Sequence, residues 1–127
     1  MTPHYVFDTG ALIAAERRKL RAVRFLQLAH LGRARIIVPL PVVAEWWRGR
    51  TDQREEILAA SQVVGSLEIA KAAGMALGTQ KRVDARLTVD AMVMATAAML
   101  NAVVITSDPD DFKALASHFP GVAVLAA

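Results

Sequence analysis

Val89-Asp90-Ala91-Met92-Val93-Met94-Ala95-Thr96-Ala97-Ala98-Met99-Leu100-Asn101-Ala102-Val103-Val104-Ile105-Thr106-Ser107-Asp108 is the stretch on which the fold turns. Its first part is apolar nearly all round and predicts a buried helix over about 89–101. Its second part, the β-branched run 103–106, predicts a strand covered on both faces. A buried helix leading into a buried strand is half of a parallel βαβ unit.

Three further runs have the same strand character: Tyr5-Val6-Phe7, Ile36-Ile37-Val38 and Val122-Ala123-Val124-Leu125. None alternates apolar with polar, as a sheet with one wet face would. Helix-length segments rich in Ala, Leu, Met, Arg and Glu lie between them, over about 11–31, 42–64 and 67–80, with a short one near 110–117. Strand alternating with helix predicts an α/β sandwich around a mainly parallel sheet of four to five strands. Pro39-Leu40-Pro41 and Gly78-Thr79 are local breaks, and no repeat or linker divides the chain, so residues 1–127 are expected to form a single domain.

Composition narrows the class. With 54% hydrophobic and 21% charged residues, the 127-residue chain can bury a core. It has no cysteine, which excludes a disulfide scaffold and Cys-based metal or nucleophile chemistry. The N-terminus, Met-Thr-Pro-His-Tyr, has no signal-peptide pattern. The longest apolar stretch, 91–105, falls short of the ~20 residues of a membrane helix. A soluble cytoplasmic protein is expected.

The acids fall in a pattern. Ligands of a parallel α/β sheet bind beyond the carboxyl ends of its strands. Asp8 directly follows the strand at 5–7, and Asp108 follows the strand at 103–106. Asp90 lies at the start of the helix that descends to the latter strand, and so returns to the same edge. Glu45 follows the strand at 36–38 and the Pro39–Pro41 corner, in the first turn or so of a helix. Each acid alone has an ordinary structural use. Asp8 and Asp108 suit helix N-caps, the latter with Pro109 behind it, and Asp90 suits a first helical turn. Together they would repel one another at one sheet edge, with Asp90 on a buried helix, unless a cation joined them. Oxygen ligands without His or Cys favour Mg²⁺ or Mn²⁺. His4, His30 and His118 fall away from this edge, against a zinc site.

Four segments then carry a family likeness: Val6-Phe7-Asp8-Thr9-Gly10-Ala11-Leu12-Ile13, Pro39-Leu40-Pro41-Val42-Val43-Ala44-Glu45-Trp46, Val89-Asp90-Ala91-Met92-Val93-Met94-Ala95-Thr96-Ala97 and Val104-Ile105-Thr106-Ser107-Asp108-Pro109-Asp110-Asp111-Phe112. In this order and spacing the chain resembles PIN-domain ribonucleases, and within them the VapC-type toxins of toxin–antitoxin pairs, over residues 5 to about 125. The resemblance implies a PIN-like α/β/α sandwich and Mg²⁺- or Mn²⁺-dependent hydrolysis of RNA phosphodiester bonds. It implies a metal-binding, catalytic quartet of Asp8, Glu45, Asp90 and Asp108, with Thr106 and Asp111 supporting. Asp8 and Asp90 are the choice for direct ligands. Val83-Asp84-Ala85 repeats the start of the third segment, but Asp90 is preferred because it opens the apolar helix. The resemblance further implies a homodimer and an antitoxin whose C-terminal segment crosses the acidic site. The apolar surface between the segments 11–31 and 42–64 is the expected receiver.

Basic residues are expected to draw RNA to this acidic site: Arg17, Arg18, Lys19, Arg21, Arg24, Arg33 and Arg35, then Arg48, Arg50 and Arg54, then Lys81, Arg82 and Arg86. Phe7, Phe25 and Phe112 read as core. Adjacent Trp46 and Trp47 cannot both face inward from one helix, so one is expected at a surface or interface. Two rival readings remain: a receiver-like phospho-acceptor domain with an acidic Mg²⁺ pocket, and a PIN-like domain that binds RNA or a partner without cutting. An Asp-x-Asp phosphatase is excluded because Gly10 stands at the second Asp position.

Overall fold

The computed structural model describes residues 1–127. Five strands form one sheet: β1 His4–Phe7, β2 Arg35–Pro39, β3 Ser61–Val64, β4 Val103–Thr106 and β5 Val124–Ala126. Their order is β3-β2-β1-β4-β5, and every pairing is parallel. Seven helices connect them: α1 Thr9–Glu16, α2 Leu20–His30, α3 Leu40–Trp46, α4 Asp52–Ala59, α5 Leu67–Leu77, α6 Ala85–Leu100 and α7 Lys113–Ala116, the last preceded by a 3-10 turn at Pro109–Phe112. The chain winds outward from β1 to β3, then crosses back to β4 on the other side of β1. Parallel crossovers are right-handed, so this reversal sends α5 and α6 to the face opposite α1 and α2. The result is an α/β/α sandwich, and the strand order differs from the 2-1-3-4-5 winding of receiver domains.

Apolar packing explains the layers. Val6, Phe7, Ile36, Ile37, Val38, Val104 and Ile105 on the three central strands are fully or almost fully buried. Each such side chain contributes about 1.5–3 kcal/mol by leaving water. On α6, Ala91 and Val93 through Ala97 are buried. The one polar member, Thr96, turns its hydroxyl back to the Met92 carbonyl at 2.6 Å. α6 therefore lies flat against α5 and the sheet, as its composition predicts.

Several boundaries differ from the sequence expectation. The segment 11–31 is two helices, because Arg18 takes a left-handed backbone (φ 56°) between α1 and α2. The segment 42–64 holds α3, α4 and a fifth strand rather than one helix. Gly49 turns the chain with φ 116°, and Thr51 caps α4 by accepting from the Arg54 N–H at 3.1 Å. The strand β3, Ser61-Gln62-Val63-Val64, lies at the sheet edge half-exposed, so it has no apolar run to announce it. Glu45 is the sixth residue of α3, near its end and not in its first turn. The helix expected from 89 begins four residues earlier, because Asp84 caps it by accepting from the Leu87 N–H at 2.8 Å. Asp90 thus sits in the second turn of α6. The last strand is shifted to 124–126.

Candidate active site

The sheet's winding reverses between β1 and β4, and the carboxyl ends of those two strands open a crevice there. Phe7 pairs with Ile105, so the next residues on each strand face each other across it. Asp8 follows β1 and is 8% exposed; Thr106 ends β4 and is 1% exposed. The Thr106 hydroxyl donates to Asp8 Oδ2 at 2.5 Å and accepts from the Asp108 N–H at 3.1 Å. Asp8 Oδ1 accepts from the Ala11 N–H at 2.8 Å, capping α1. Asp8 is therefore both a helix cap and a wall of the crevice. The two uses that the sequence left open are compatible.

A pocket of about 60 Å³ lies over these groups. Asp8, Glu45, Asp90, Asp108 and Asp111 all line it, with Thr9, Gly10, Thr106, Ser107, Arg86 and Val89. The four acids singled out in the sequence thus meet, from β1, α3, α6 and the end of β4, and Asp111 joins them from the 3-10 turn. Glu45 reaches the pocket from late in α3 and accepts a hydrogen bond from the Thr9 hydroxyl. Gly10 allows the loop after β4 to close over α1, since a Cβ there would stand 2.2 Å from Ser107 Oγ. Asp84 is exposed and occupied by its cap, outside the pocket.

The charge balance is unfavourable as the side chains stand. Burial pushes the Asp8 carboxyl above its usual range; the Thr106 and Ala11 hydrogen bonds oppose this, and Glu45 and Asp111 reinforce it. Asp90 is pushed up to about 7, chiefly by burial, then by Asp8 and Asp111, with Arg86 opposing. Hard oxygen donors in a cluster short of positive charge are the chemistry a divalent cation fits. No three His, Cys, Asp or Glu side chains are gathered to hold an ion as they stand. The reason is visible in their hydrogen bonds: Asp8 uses both oxygens within the protein, Glu45 bonds Thr9, and Asp111 bonds Arg86. Mg²⁺ commonly takes one or two carboxylates and keeps several waters, and a pocket of about 60 Å³ has room for them.

The basic residues are distributed differently from expectation. Arg86 is the one Lys or Arg that lines the pocket. Its Nη2 stands 2.5 Å from Asp111 Oδ2, and that carboxylate holds the guanidinium further in its charged form. Arg35 opens β2 at the opposite edge of the sheet. Arg17, Arg18 and Lys19 lie beyond the far end of α1, roughly 12 Å along its eight residues. Arg54 is spent on Glu16, whose Oε1 accepts from Arg54 Nε at 2.9 Å and from Trp46 Nε1. Trp46 is buried by that contact and Trp47 is half-buried, its ring at 5.9 Å and nearly perpendicular. The sequence reading gave Thr9, Ser107 and Glu16 no role and placed Arg86 outside the helix. The readable signal for Arg86 was its spacing, four residues before Asp90. None of the three histidines lines the pocket.

The sequence matches the family model of the PIN domain over residues 5–117. No curated protein sequence matches it. Solved structures share the fold at low identity. The VapBC2 structure from Rickettsia felis bound to a DNA fragment from its promoter has 15% identity and a TM-score of 0.66, with 98% of each chain covered. A toxin–antitoxin complex from Klebsiella pneumoniae has 24% identity and a TM-score of 0.60, covering 94% of this chain and 95% of its own. The FitAcB structure from Neisseria gonorrhoeae has 18% identity and a TM-score of 0.57, covering 95% and 96%.

Proposed function

This chain belongs to the PIN-domain family, and from that premise we propose that it is a Mg²⁺- or Mn²⁺-dependent endoribonuclease, the toxin of a toxin–antitoxin pair. The observation that carries the reading is the meeting of Asp8, Glu45, Asp90 and Asp108 in one pocket at the β1–β4 crevice. The likeness to the R. felis, K. pneumoniae and N. gonorrhoeae structures supports the toxin role. No helix is long and apolar enough to cross a membrane.

Asp8 and Asp90 would hold the ion, and Glu45 and Asp108 would complete its surroundings through water. When bound, the ion supplies Lewis-acid polarisation of a phosphate and makes hydroxide available near neutral pH. Thr106 fixes the Asp8 carboxylate in place by its hydroxyl, so that group enters the reaction already oriented. Thr9 does the same for Glu45. Glu45 or Asp108 would take the proton of the attacking water. The water oxygen would bond to phosphorus as one phosphorus–ribose oxygen bond breaks, and the departing ribose oxygen would take up a proton from solvent.

A labelled single-stranded RNA incubated with Mg²⁺, with Mn²⁺ and with EDTA tests the reading. Cleavage is expected with either ion and not with EDTA. Asp8→Asn and Asp90→Asn are expected to abolish it while circular dichroism stays that of the wild type. Full activity in either folded variant overturns the assignment. RNA binding without cleavage at any metal concentration favours instead a domain that only binds. For the toxin role, induction in a bacterial host is expected to arrest growth, the Asp90→Asn variant is expected not to, and a small partner protein from the adjacent reading frame is expected to relieve the arrest by binding. A homodimer is expected by sedimentation.

A further inference from the structure

The mouth of the acidic pocket holds one cation and one acid that the quartet does not need. Arg86, Val89 and Asp90 stand at i, i+3 and i+4 on α6, so they form one stripe facing the pocket. Because α6 begins at Ala85, Arg86 rides on the overhanging first turn, at the rim rather than the floor. Its side chain is 70% exposed. Its only partner is Asp111, through a single Nη2–Oδ2 contact, which leaves most of the guanidinium's five donors free. An exposed, single-contact pair is easily exchanged for a better one. An RNA phosphate offers that better partner, because it can accept two parallel N–H bonds from guanidinium. Without such a group, a phosphate entering the pocket would meet no positively charged side chain, since no other Lys or Arg lines it.

We propose that Arg86 is the RNA-phosphate anchor of this site and that Asp111 is its latch: in the free protein Asp111 holds Arg86 at the rim, and an arriving phosphodiester takes Arg86 from it. The proposal rests on the ribonuclease reading. It adds a substrate-binding residue and assigns Asp111 to Arg86 rather than to the ion.

The exchange is read by binding, apart from cleavage. A fluorescein-labelled single-stranded RNA is titrated with protein in EDTA, and anisotropy is followed from about 25 to 200 mM salt. Arg86→Ala is expected to raise Kd roughly tenfold at low salt, the worth of one charge-assisted contact. It is also expected to flatten the plot of log K against log salt by about 0.7, one phosphate contact on a single strand. Arg86→Lys keeps the charge and loses the fork, so its slope stays near wild type while its Kd falls between the two. Asp111→Asn is expected to tighten binding several-fold. That gain is expected to shrink when Arg86→Ala is already present, because the latch acts through Arg86. Equal Kd and slope for wild type and Arg86→Ala overturn the anchor, and an undiminished Asp111→Asn gain in the Arg86→Ala background overturns the latch. Absence of wild-type RNA binding in EDTA overturns the anchor, and only if Mg²⁺-dependent cleavage is absent as well does the ribonuclease reading fall with it. Binding that is intact and indifferent to Arg86 overturns the anchor alone.

Discussion

Replacing Asp90 by Asn should stabilise the protein at the pH where the wild type is expected to work. In the folded chain the Asp90 carboxyl is pushed from its ordinary 3.8 to about 7, mainly by burial and then by Asp8 and Asp111. An acid whose folded pKa is raised binds its proton more tightly in the folded state. Between about pH 4 and pH 7 the folded state therefore keeps a proton that the unfolded chain has released. Stability falls as pH rises through that window and reaches its floor above it. At about 1.36 kcal/mol per tenfold of proton affinity, the gross effect is roughly 4 kcal/mol. Asp90 is only partly buried, so solvent screening leaves about half, or ~2 kcal/mol. Asparagine has nearly the same shape and no charge, and removes this dependence. Urea unfolding in EDTA measures it. At pH 4 the wild type and Asp90→Asn should unfold at similar urea concentrations. At pH 8 the variant's midpoint should lie about 1 M higher, given the m-values of small domains. Saturating Mg²⁺ should then raise the wild type and leave the variant where it was. A midpoint difference that does not change between pH 4 and pH 8 would refute the claim that this carboxylate is held against its preference.

Thr106→Val should cost about 1–3 kcal/mol in chemical denaturation, since it removes the hydroxyl that satisfies both buried Asp8 and the Asp108 N–H; RNA cleavage should fall with it, and a variant of wild-type activity would argue that Asp8 orients itself. Glu16→Ala should destabilise by a similar ~1–3 kcal/mol by leaving Arg54 and Trp46 Nε1 without their shared acceptor, with a shift in tryptophan fluorescence as the direct readout. Asp84→Ala should lower stability by about 0.5–2 kcal/mol through loss of the α6 cap and leave RNA cleavage intact, which separates it from Asp90; loss of cleavage in a folded Asp84→Ala protein would reverse the choice between the two.

Much of the architecture could be read from residues. The central strands are buried on both faces, and they announced themselves as β-branched runs at 5–7, 36–38 and 103–106. The acids could be read because topology, not local preference, decides which chain positions share a sheet edge: a residue just past a parallel strand is at the ligand edge whatever else it does. What escaped was whatever depends on exposure or long-range pairing. Ser61–Val64 pairs with β2 as an edge strand, yet its side chains are half-exposed or more, so no burial pattern marks it. Arg18 interrupts a helical stretch with a conformation that arginine rarely adopts, and nothing local in the sequence signals it. Arg86 was among the basic residues expected to draw RNA, but placing the helix start at 89 hid its position at the pocket, because an arginine in a loop has no fixed neighbour, whereas one turn before Asp90 it has one. Its bond to Asp111 spans 25 residues and depends on the 3-10 turn falling beside α6.

The bond between Thr106 and Asp8 joins residues 98 apart, and β1, first of the five strands in chain order, lies in the middle of the sheet beside β4. A ribosome making these residues must therefore release β4 before the β1–β4 crevice can form. A polypeptide cut short upstream of residue 103 lacks β4, Thr106 and Asp108, and with them one wall of that crevice. The order of the strands thus ties the making of the acidic pocket to the making of β4.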